Sequence, residues 1–254
     1  MTGKLWVVGL GPGRSSQRTP EAQDAVGGAD LLFGYGPYLD RVPKRAGQER
    51  RPSDNRQELQ RAEQALLAAS EGRNVAMVSG GDPGVFGMAA AVCEILDREP
   101  AKWQHVEVVV LPGVSAMLAV AARVGAPLGH DFCAISLSDN LKPWPVIERR
   151  LQAAATAGFV IALYNPVSRA RPCQLEHAFA TLGRILPQTT PIVFGRAVGR
   201  EDERVSITTL AAASNHPADM ATCIIIGSPE TRLIQRAGDA PMVYTPRGTV
   251  RPTA

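Results

Sequence analysis

The chain has 254 residues, of which 45% are hydrophobic and 20% charged, and its formal net charge is +3. This length is sufficient for one large globular domain or two modest ones, and the apolar content excludes an intrinsically disordered chain. So small a charge gives no reason to expect nucleic acid as a partner, but it is compatible with an anionic small substrate.

Cysteine spacing and hydropathy restrict the class of protein further. The four cysteines are far apart and form no CxxC pair, so we expect no metal site. Three of them lie in apolar or helical patterns, which favour small buried thiols. No signal peptide is evident, and no apolar run is long enough to span a bilayer. We therefore expect a cytoplasmic protein that does not contact membranes.

The N-terminal half alternates short apolar runs with amphipathic stretches. Strands are predicted at "KLWVVG", "DLLFGYG", "NVAMVSG" and "VEVVVLPG", and helical stretches separate them. Thr19 as N-cap and Pro20 in the first helical position mark the start of the first helix, and Gly72 ends a second helix predicted within 53–70. Strands separated by helices indicate parallel pairing with right-handed crossovers.

The segment "GAPLGHDF" at 125–132 interrupts this alternation with two glycines and a proline, and we predict a linker there. Five strands are predicted beyond it, at "CAISL", "FVIALYN", "PIVFGRA", "RVSITTL" and "MATCIIIG", with helices at "PVIERRLQAAATAG" and "QLEHAFATLGRIL". Some of these strands are close together in the chain, which favours a mixed sheet with hairpins. The sequence thus predicts two α/β domains, at 1–124 and 133–254, with a cleft between them.

Three glycine-rich turns follow strands of the first domain: "GLGPG" (9–13), "SGGDPG" (79–84) and "LPGVSA" (111–116). Because the carboxyl ends of parallel strands share one edge of the sheet, we expect these turns to line a single crevice. Their backbone groups would bind a polar ligand that glycine allows to approach closely. The Asp82 carboxylate suits a ligand amine or hydroxyl, with a helix N-cap as the alternative.

The first turn does not match a dinucleotide-binding fingerprint. Arg14 occupies the position of the third glycine, Pro12 lies inside the turn, and the helix signal at Thr19 comes too late to direct a helix N-terminus at a pyrophosphate. No acidic residue ends the second strand, and no GK[ST] follows the glycines as in a P-loop. The hypothesis that the protein is a nicotinamide oxidoreductase therefore rests on "GLGPG" alone.

The stretches "VVGLGPG", "SGGDPGVFGMA", "LPGVSA" and "ALYNP" occur in the order and approximate spacing of the tetrapyrrole (class III) S-adenosylmethionine-dependent methyltransferases. The chain resembles this family over nearly its whole length. The stretches "FGYGPYLD", "YNPVSRARPCQL", "GRAVGREDERV" and "DMATCIIIGSPETR" are similar to the branch that methylates C17 of the macrocycle and contracts its ring in cobalamin synthesis. One departure is "RSSQRTPEA" after the first turn, where an acidic segment is typical.

The resemblance implies the tetrapyrrole methylase fold, a homodimer, and an S-adenosylmethionine site between the domains that is built largely from backbone. The resemblance also implies that the methyl donor is converted to S-adenosylhomocysteine. The positions that match the cofactor-binding motifs of the family are Pro12, Gly80, Gly81, Asp82, Val85, Ser115, Ala116, Tyr164, Asn165, Ala197 and Thr222.

A small-molecule tetrapyrrole substrate carries several carboxylates, and guanidinium groups bind carboxylates in a matching planar geometry. The alternative to substrate binding, for any one arginine, is an exposed position on the protein surface. The arginines beside predicted turns, which we predict to include substrate-binding residues, are Arg14, Arg18, Arg51, Arg56, Arg169 and Arg171.

No catalytic dyad is evident, and none is required, because positioning an activated methyl group in line with a carbon nucleophile supplies most of the catalysis. A general acid or base would assist ring contraction. His130, Asp131, Ser53 and Asp54 are candidates, although polar linker residues and helix caps explain them equally well. We assign no catalytic residue.

Two kinds of alternative remain open. Within the family, the acceptor could be the cobalt-bearing macrocycle of the anaerobic pathway, another carbon of the ring, or the diphthine precursor on a translation factor. Outside it, the glycine turns are also compatible with a nucleotide-binding module without catalysis or with a nicotinamide oxidoreductase.

Overall fold

A computed structural model of the protein describes residues 3–54 and 56–248. The contacts divide the chain into two compact units, Met1–Ala116 and Met117–Ala254. This division falls after the first residue of the helix Ala116–Val124, whereas the predicted linker follows that helix. No helix in the described part of the chain has the length and apolarity needed to cross a bilayer.

The first unit contains one five-stranded sheet. Its strands pair only in parallel, in the order β3-β2-β4-β1-β5, as the alternation of strands and helices predicts. Its elements are β1 (Lys4–Gly9), α1 (Pro20–Gly28), β2 (Leu31–Tyr35), α2 (Gly36–Leu39), β3 (Glu49–Ser53), α3 (Glu58–Ser70), β4 (Asn74–Ser79), α4 (Met88–Arg98), α5 (Pro100–Trp103) and β5 (Glu107–Leu111), with a 3-10 turn at Ser15–Gln17.

Helices pack on both faces of this sheet, because successive residues of a strand point to opposite faces. Val7 and Met77 are buried in a cluster with residues of α3 and α4. Val8 and Val78, one position further along the same strands, are buried in a cluster with residues of α1. The carboxyl ends of the central strands are thereby fixed by two separate apolar layers.

The helix signals of the first unit are confirmed at α1, where the Thr19 hydroxyl accepts a hydrogen bond from the Ala22 N–H at 3.2 Å and Pro20 is the first helical residue. The second helix begins later than predicted, at Glu58, because the residues before it include strand β3. That strand was missed because "ERRPS" combines three charges with a proline, a composition typical of an edge strand.

The second unit contains a mixed five-stranded sheet, as predicted, in the order β10-β9-β11-β8-β7. The β7–β8 pair is parallel and the other pairs are antiparallel. Its elements are α6 (Ala116–Val124), β6 (Gly125–Ala126), β7 (Phe132–Ser136), α7 (Trp144–Thr156), β8 (Val160–Tyr164), α8 (Gln174–Leu182), β9 (Pro191–Arg196), β10 (Arg204–Thr209), β11 (Thr222–Ile226), β12 (Arg232–Arg236) and β13 (Asp239–Tyr244), with a 3-10 helix at Leu210–Asn215.

A second, three-stranded sheet in this unit has the order β12-β13-β6 and was not predicted. Strand β6 lies inside the predicted linker and pairs with β13 through Gly125 opposite Val243. Strand β6 has only two residues, too few to show an alternation of apolar and polar side chains, and every residue of β12 is exposed. Neither strand therefore has a hydrophobic pattern from which it could be predicted.

Helix α6 packs against the main sheet of the second unit at a glycine. A Cβ at Gly195 would overlap the Val120 Cγ2 atom and lie 2.8 Å from its Cγ1 atom. Val120 is 1% exposed, and a buried β-branched side chain has little freedom to move aside. Gly195 therefore sets the distance between α6 and strand β9.

We predict that Gly195→Ala lowers the free energy of unfolding by about 1–3 kcal/mol, because it overpacks this contact. The matched control is Gly27→Ala in α1, where nothing lies within 4 Å of an added Cβ, and where the change should stabilise the helix by about 0.4–1 kcal/mol. Urea unfolding midpoints of the two variants test this. Equal midpoints would contradict the packing argument.

Candidate functional site

The three glycine-rich turns of the first unit contact one another at the carboxyl edge of the sheet. The backbone groups of Gly11 and Gly81 pair in both directions, with N–H to oxygen distances of 3.1 and 2.9 Å. The Leu10 N–H also donates to the Ser79 carbonyl at 2.9 Å. The first and second turns therefore form one hydrogen-bonded structure, as expected for a single crevice.

Asp82 connects the second turn to the third. Its Oδ1 atom accepts the Gly84 N–H at 2.8 Å, and its Oδ2 atom accepts the Gly113 N–H at 3.0 Å. Both carboxylate oxygens are thus occupied by backbone donors, and neither donor belongs to helix α4. The N-cap alternative for Asp82 is wrong, and the side chain positions the two turns relative to each other.

The glycines of this cluster are required by close approach of the backbones. A Cβ at Gly9 would lie 2.6 Å from the Gly113 nitrogen, and a Cβ at Gly113 would overlap the Gly81 carbonyl oxygen. Gly81 itself has φ of +66°, a conformation that favours glycine. Gly80, Gly81 and Gly113 remain partly exposed after this packing. Peptide groups without side chains thus form the surface of the cluster, which fits a small polar ligand.

Two residues that sequence reasoning did not select hold this cluster in place. The Arg41 Nη2 atom donates to the carbonyl oxygens of Leu10 at 3.3 Å, Gly11 at 2.7 Å and Gly13 at 3.2 Å. The Tyr38 ring supports Gly80 so closely that a Cβ there would lie 2.7 Å from the ring. A single arginine in a loop has no periodicity or spacing that identifies such a role.

The six arginines predicted to include substrate ligands differ in exposure. Arg18 and Arg171 are buried, at 8% and 5% relative exposure. The other four are exposed, and Arg51 forms an ion pair with Glu49 at 2.7 Å. The exposed members are Arg14, Arg51, Arg56 and Arg169.

The two buried arginines donate to backbone carbonyls of their own unit. The Arg18 Nη2 atom lies 3.3 Å from the Arg41 carbonyl oxygen, and burial lowers the pKa of its guanidinium. The Arg171 Nη1 atom donates to the carbonyl oxygens of Asn165 at 3.1 Å and Leu137 at 3.4 Å. Arg171 therefore supports the turn after β8, and its burial argues against the predicted contact with substrate carboxylates.

In the second unit, the predicted residues Tyr164 and Asn165 form the turn that Arg171 supports. The Tyr164 hydroxyl accepts the Met117 N–H at 3.0 Å, at the start of α6. Asn165 has φ of +53°, and its Nδ2 atom donates to the Ser136 hydroxyl at 2.9 Å. The turn is therefore fixed by a hydrogen bond from α6 and by one to the end of β7.

The other two predicted cofactor residues of the second unit lie at the ends of adjacent strands of the same sheet. Ala197 follows β9 with φ of +49°, and its N–H donates to the Ala221 carbonyl at 2.9 Å. The Thr222 hydroxyl, at the start of β11, donates to the Asp219 carboxylate at 3.0 Å. Burial alone would raise the pKa of Asp219, but hydrogen bonds from Arg196 and Thr222 hold that pKa below its usual value.

Backbone strain in the described residues coincides with the predicted site. Four residues other than glycine have positive φ: Arg56, Phe86, Asn165 and Ala197. Each such residue costs about 1–3 kcal/mol, and residues of this kind cluster where ligands bind. Three of the four are residues that the sequence selects for cofactor or substrate binding, and Phe86 lies in the same loop as Asp82.

The proton-transfer candidates are engaged in local structure. The His130 Nδ1 atom accepts the Asp131 N–H at 2.6 Å, and the Asp131 side chain is 80% exposed. The Ser53 hydroxyl accepts from the buried Arg61, which also donates to the Asp54 carbonyl. Among the residues that the structure describes, no group of three His, Cys, Asp or Glu side chains is arranged to hold a metal. No catalytic residue is assigned.

Comparisons with known proteins agree on one family. The family model described as Tetrapyrrole (Corrin/Porphyrin) Methylases matches residues 4–214. The chain is 63% identical over 247 residues to a protein of Sinorhizobium sp named precorrin-3B C(17)-methyltransferase, covering 97% of each. It is 40% identical over 245 residues to a Salmonella typhimurium protein named probable cobalt-factor III C(17)-methyltransferase, covering 96% of this chain and 98% of that one.

Solved structures show the same likeness. The crystal structure of the methyltransferase CobJ matches with a TM-score of 0.91 and 46% identity over 96% of this chain and 100% of that chain. A uroporphyrin-III C-methyltransferase from Thermus thermophilus, complexed with S-adenosylhomocysteine, matches with a TM-score of 0.68 and 22% identity over 89% of this chain and 97% of that one. At that identity the second match supports the fold alone.

We predict that Asp82→Asn weakens the connection between the second and third turns, because an amide nitrogen cannot accept the N–H that one carboxylate oxygen accepts. The free energy of unfolding should fall by about 1–3 kcal/mol, and the Gly113 amide should exchange faster with deuterium. Asp97→Asn, at an exposed position of α4, is the control. Unchanged exchange at Gly113 would show that Asp82 does not hold the turns together.

Proposed function

This chain belongs to the tetrapyrrole methylases, and we propose that it transfers a methyl group from S-adenosylmethionine to C17 of precorrin-3B. In the proposed reaction the ring contracts to give precorrin-4, a step of cobalamin biosynthesis, and S-adenosylhomocysteine is released. The main support is the 63% identity to the Sinorhizobium protein of that name over 97% of both chains. The match to CobJ, with a TM-score of 0.91, is consistent with it.

The observation that carries the donor-binding proposal is the fusion of three turns into one backbone surface by the Gly11–Gly81 pair and by Asp82. S-adenosylmethionine supplies a methyl group that its sulfonium has already activated. Partly exposed peptide groups at Gly80 and Gly81 would bind a polar nucleoside through backbone donors and acceptors.

The proposed donor-binding residues belong to both units. In the first unit they are Pro12, Gly80, Gly81, Asp82, Val85, Ser115 and Ala116, and in the second Tyr164, Asn165, Ala197 and Thr222.

We attribute most of the catalysis to positioning. A carbon nucleophile held in line with an activated methyl group gains up to about 7–11 kcal/mol from proximity and orientation. The residues of this chain contribute by holding the reactants, with the turn backbones on the donor side and the exposed arginines on the carboxylates of the macrocycle.

A second candidate acceptor is the cobalt-bearing macrocycle. It is supported by the 40% identity to the Salmonella typhimurium protein named probable cobalt-factor III C(17)-methyltransferase. The identity to the precorrin-3B enzyme is higher, at 63%, so we place the metal-free substrate first. Both acceptors are methylated at the same carbon, C17, so binding and activation of the methyl donor are common to the two.

The decisive experiment has two stages. Calorimetry with S-adenosylhomocysteine measures binding of the donor product, and mass analysis of precorrin-3B incubated with S-adenosylmethionine detects the methylated, ring-contracted product. A parallel incubation with the cobalt chelate compares the two acceptors by kcat/KM. Binding without methylation of either macrocycle would favour the nucleotide-binding module and contradict the proposed activity.

The family resemblance is the basis of two further proposals. We propose that the protein works in the cytoplasm and that it forms a homodimer. Sedimentation velocity of the purified chain tests the second proposal directly. A single species with the mass of one chain, at concentrations used for activity, would contradict it.

We predict that Arg41→Met raises the Kd for S-adenosylhomocysteine about tenfold, because the first turn loses three hydrogen bonds from a charged donor. Arg45→Met is the matched control, since the Arg45 Nη2 atom also donates to a backbone carbonyl, that of Ala29 at 2.8 Å, but not in the turn. Calorimetry on both variants separates a specific effect from a general loss of charge. Similar Kd values in both variants would contradict the role of Arg41.

A further inference from the structure

We propose that Asp219 is a positioning residue that fixes the Thr222 hydroxyl as a hydrogen-bond acceptor for an N–H or O–H group of the methyl donor. The inference rests on the function proposed above, in which Thr222 binds that donor. Asp219 is not among the residues that match the cofactor motifs, and it lies in the loop before β11, three residues before Thr222. A carboxylate at this position decides which hydrogen-bonding role the hydroxyl can take.

Among the hydrogen bonds of the described residues, two occupy the Thr222 hydroxyl. Its O–H donates to the Asp219 Oδ1 atom at 3.0 Å, and its oxygen accepts the Asp219 N–H at 3.1 Å. A hydroxyl offers one donor and two acceptor lone pairs. Its hydrogen and one lone pair are thus engaged, so a ligand that contacts the remaining lone pair must present a donor.

The directions of these two bonds follow from the chemistry of Asp219, because a backbone N–H only donates and an ionised carboxylate only accepts. The Asp219 Oδ2 atom accepts the Arg196 Nε–H at 2.8 Å, and Oδ1 also accepts the Ala221 N–H at 2.9 Å. Burial alone would raise the pKa of Asp219, but hydrogen bonds from Arg196 and Thr222 hold that pKa below its usual value. The carboxylate is therefore ionised at neutral pH, and it prevents the Thr222 hydroxyl from donating to a ligand.

A cavity in the second unit gives a ligand access to this pair. Thr222 is only 4% exposed, but Thr222 and Asp219 both line a cavity of about 380 Å³. The rest of its lining combines apolar and polar side chains, among them Phe194, Ser206 and His216. Since one water molecule takes about 30 Å³ of the liquid, a cavity of this size admits a polar group of a nucleoside or an amino acid.

A purely structural role for Asp219 is the competing explanation. The Asp219 N–H bond to Thr222 and the Ala221 N–H bond to the carboxylate close the turn that precedes β11. Aspartate is common in such turns for the sake of stability alone. The two explanations differ in one respect, because only a positioning role makes the effect of a substitution depend on which donor group the ligand carries.

The first experiment measures the Kd for S-adenosylhomocysteine by calorimetry on the full chain. In Asp219→Asn an amide nitrogen replaces one acceptor oxygen, so the side chain cannot accept from both Arg196 and Thr222, and we expect the Kd to rise about tenfold. Asp202→Asn is the matched control. Among the described hydrogen bonds, the Asp202 carboxylate accepts from the same arginine at 2.6 Å and not from Thr222, so its Kd should change less than about twofold.

Two substitutions of Thr222 test the hydroxyl itself. Thr222→Val keeps the shape of the side chain and removes the hydroxyl, so it should raise the Kd about as much as Asp219→Asn. Thr222→Ser restores the hydroxyl and should recover most of the affinity that Thr222→Val loses. Urea unfolding midpoints of all variants show which proteins are folded under the conditions of the titration.

The second experiment identifies the donor group of the ligand, and it does not depend on the folding of Asp219→Asn. Analogues of S-adenosylhomocysteine that each lack one donor are titrated into wild type and into Thr222→Val. The missing donors are the adenine amine, either ribose hydroxyl, and the amino group of the amino acid. For one analogue, the loss of affinity measured in wild type should disappear in Thr222→Val, because the acceptor is already missing there.

Either of two results would overturn the proposal. If every analogue loses the same affinity in wild type and in Thr222→Val, the hydroxyl accepts from no part of the ligand. If Asp219→Asn and Asp202→Asn raise the Kd equally, the effect passes through Arg196 and not through the hydroxyl. Failure of the proposed function is distinguishable, because wild type would then bind no S-adenosylhomocysteine or form no methylated product before any variant is compared.

Discussion

Mutual hydrogen bonding of glycine-rich turns is the interaction on which the first unit depends for its candidate site. Gly11 and Gly81 pair through both backbone groups, and Asp82 accepts the N–H of Gly113. Such pairing requires the backbones to approach more closely than a Cβ at Gly9 would permit. Because the strands beneath are parallel and buried on both faces, their carboxyl ends are fixed and bring the turns to one edge.

Arginine side chains that donate to turn carbonyls form the second layer of support. Arg41 in the first unit and Arg171 in the second each donate to several backbone carbonyls of a turn. A guanidinium has five donors in a rigid plane, so one side chain satisfies several carbonyls that would otherwise be unpaired. In both units the arginine holds the shape of a turn.

The alternation of strands and helices, the parallel and mixed sheets and the glycine turns could all be predicted, because each leaves a local signal in composition or period. Strand β3 could not, since the edge strand "ERRPS" carries charges and a proline in place of an apolar alternation. The role of Arg171 could not be predicted from the sequence either. A buried and an exposed arginine look alike in sequence, and only the fold shows that Arg171 lies against the Asn165 carbonyl.

Residues with a strained backbone in this molecule are held by hydrogen bonds from their surroundings. Asn165 and Ala197 have positive φ, and hydrogen bonds from Arg171 and to the Ala221 carbonyl hold them there. A conformation that costs free energy persists only when its surroundings determine it fully. Turns of this kind are already ordered before a ligand arrives, so binding does not have to offset the entropy of ordering them. A transfer reaction that depends on placing two reactants in line benefits directly from such preorganisation.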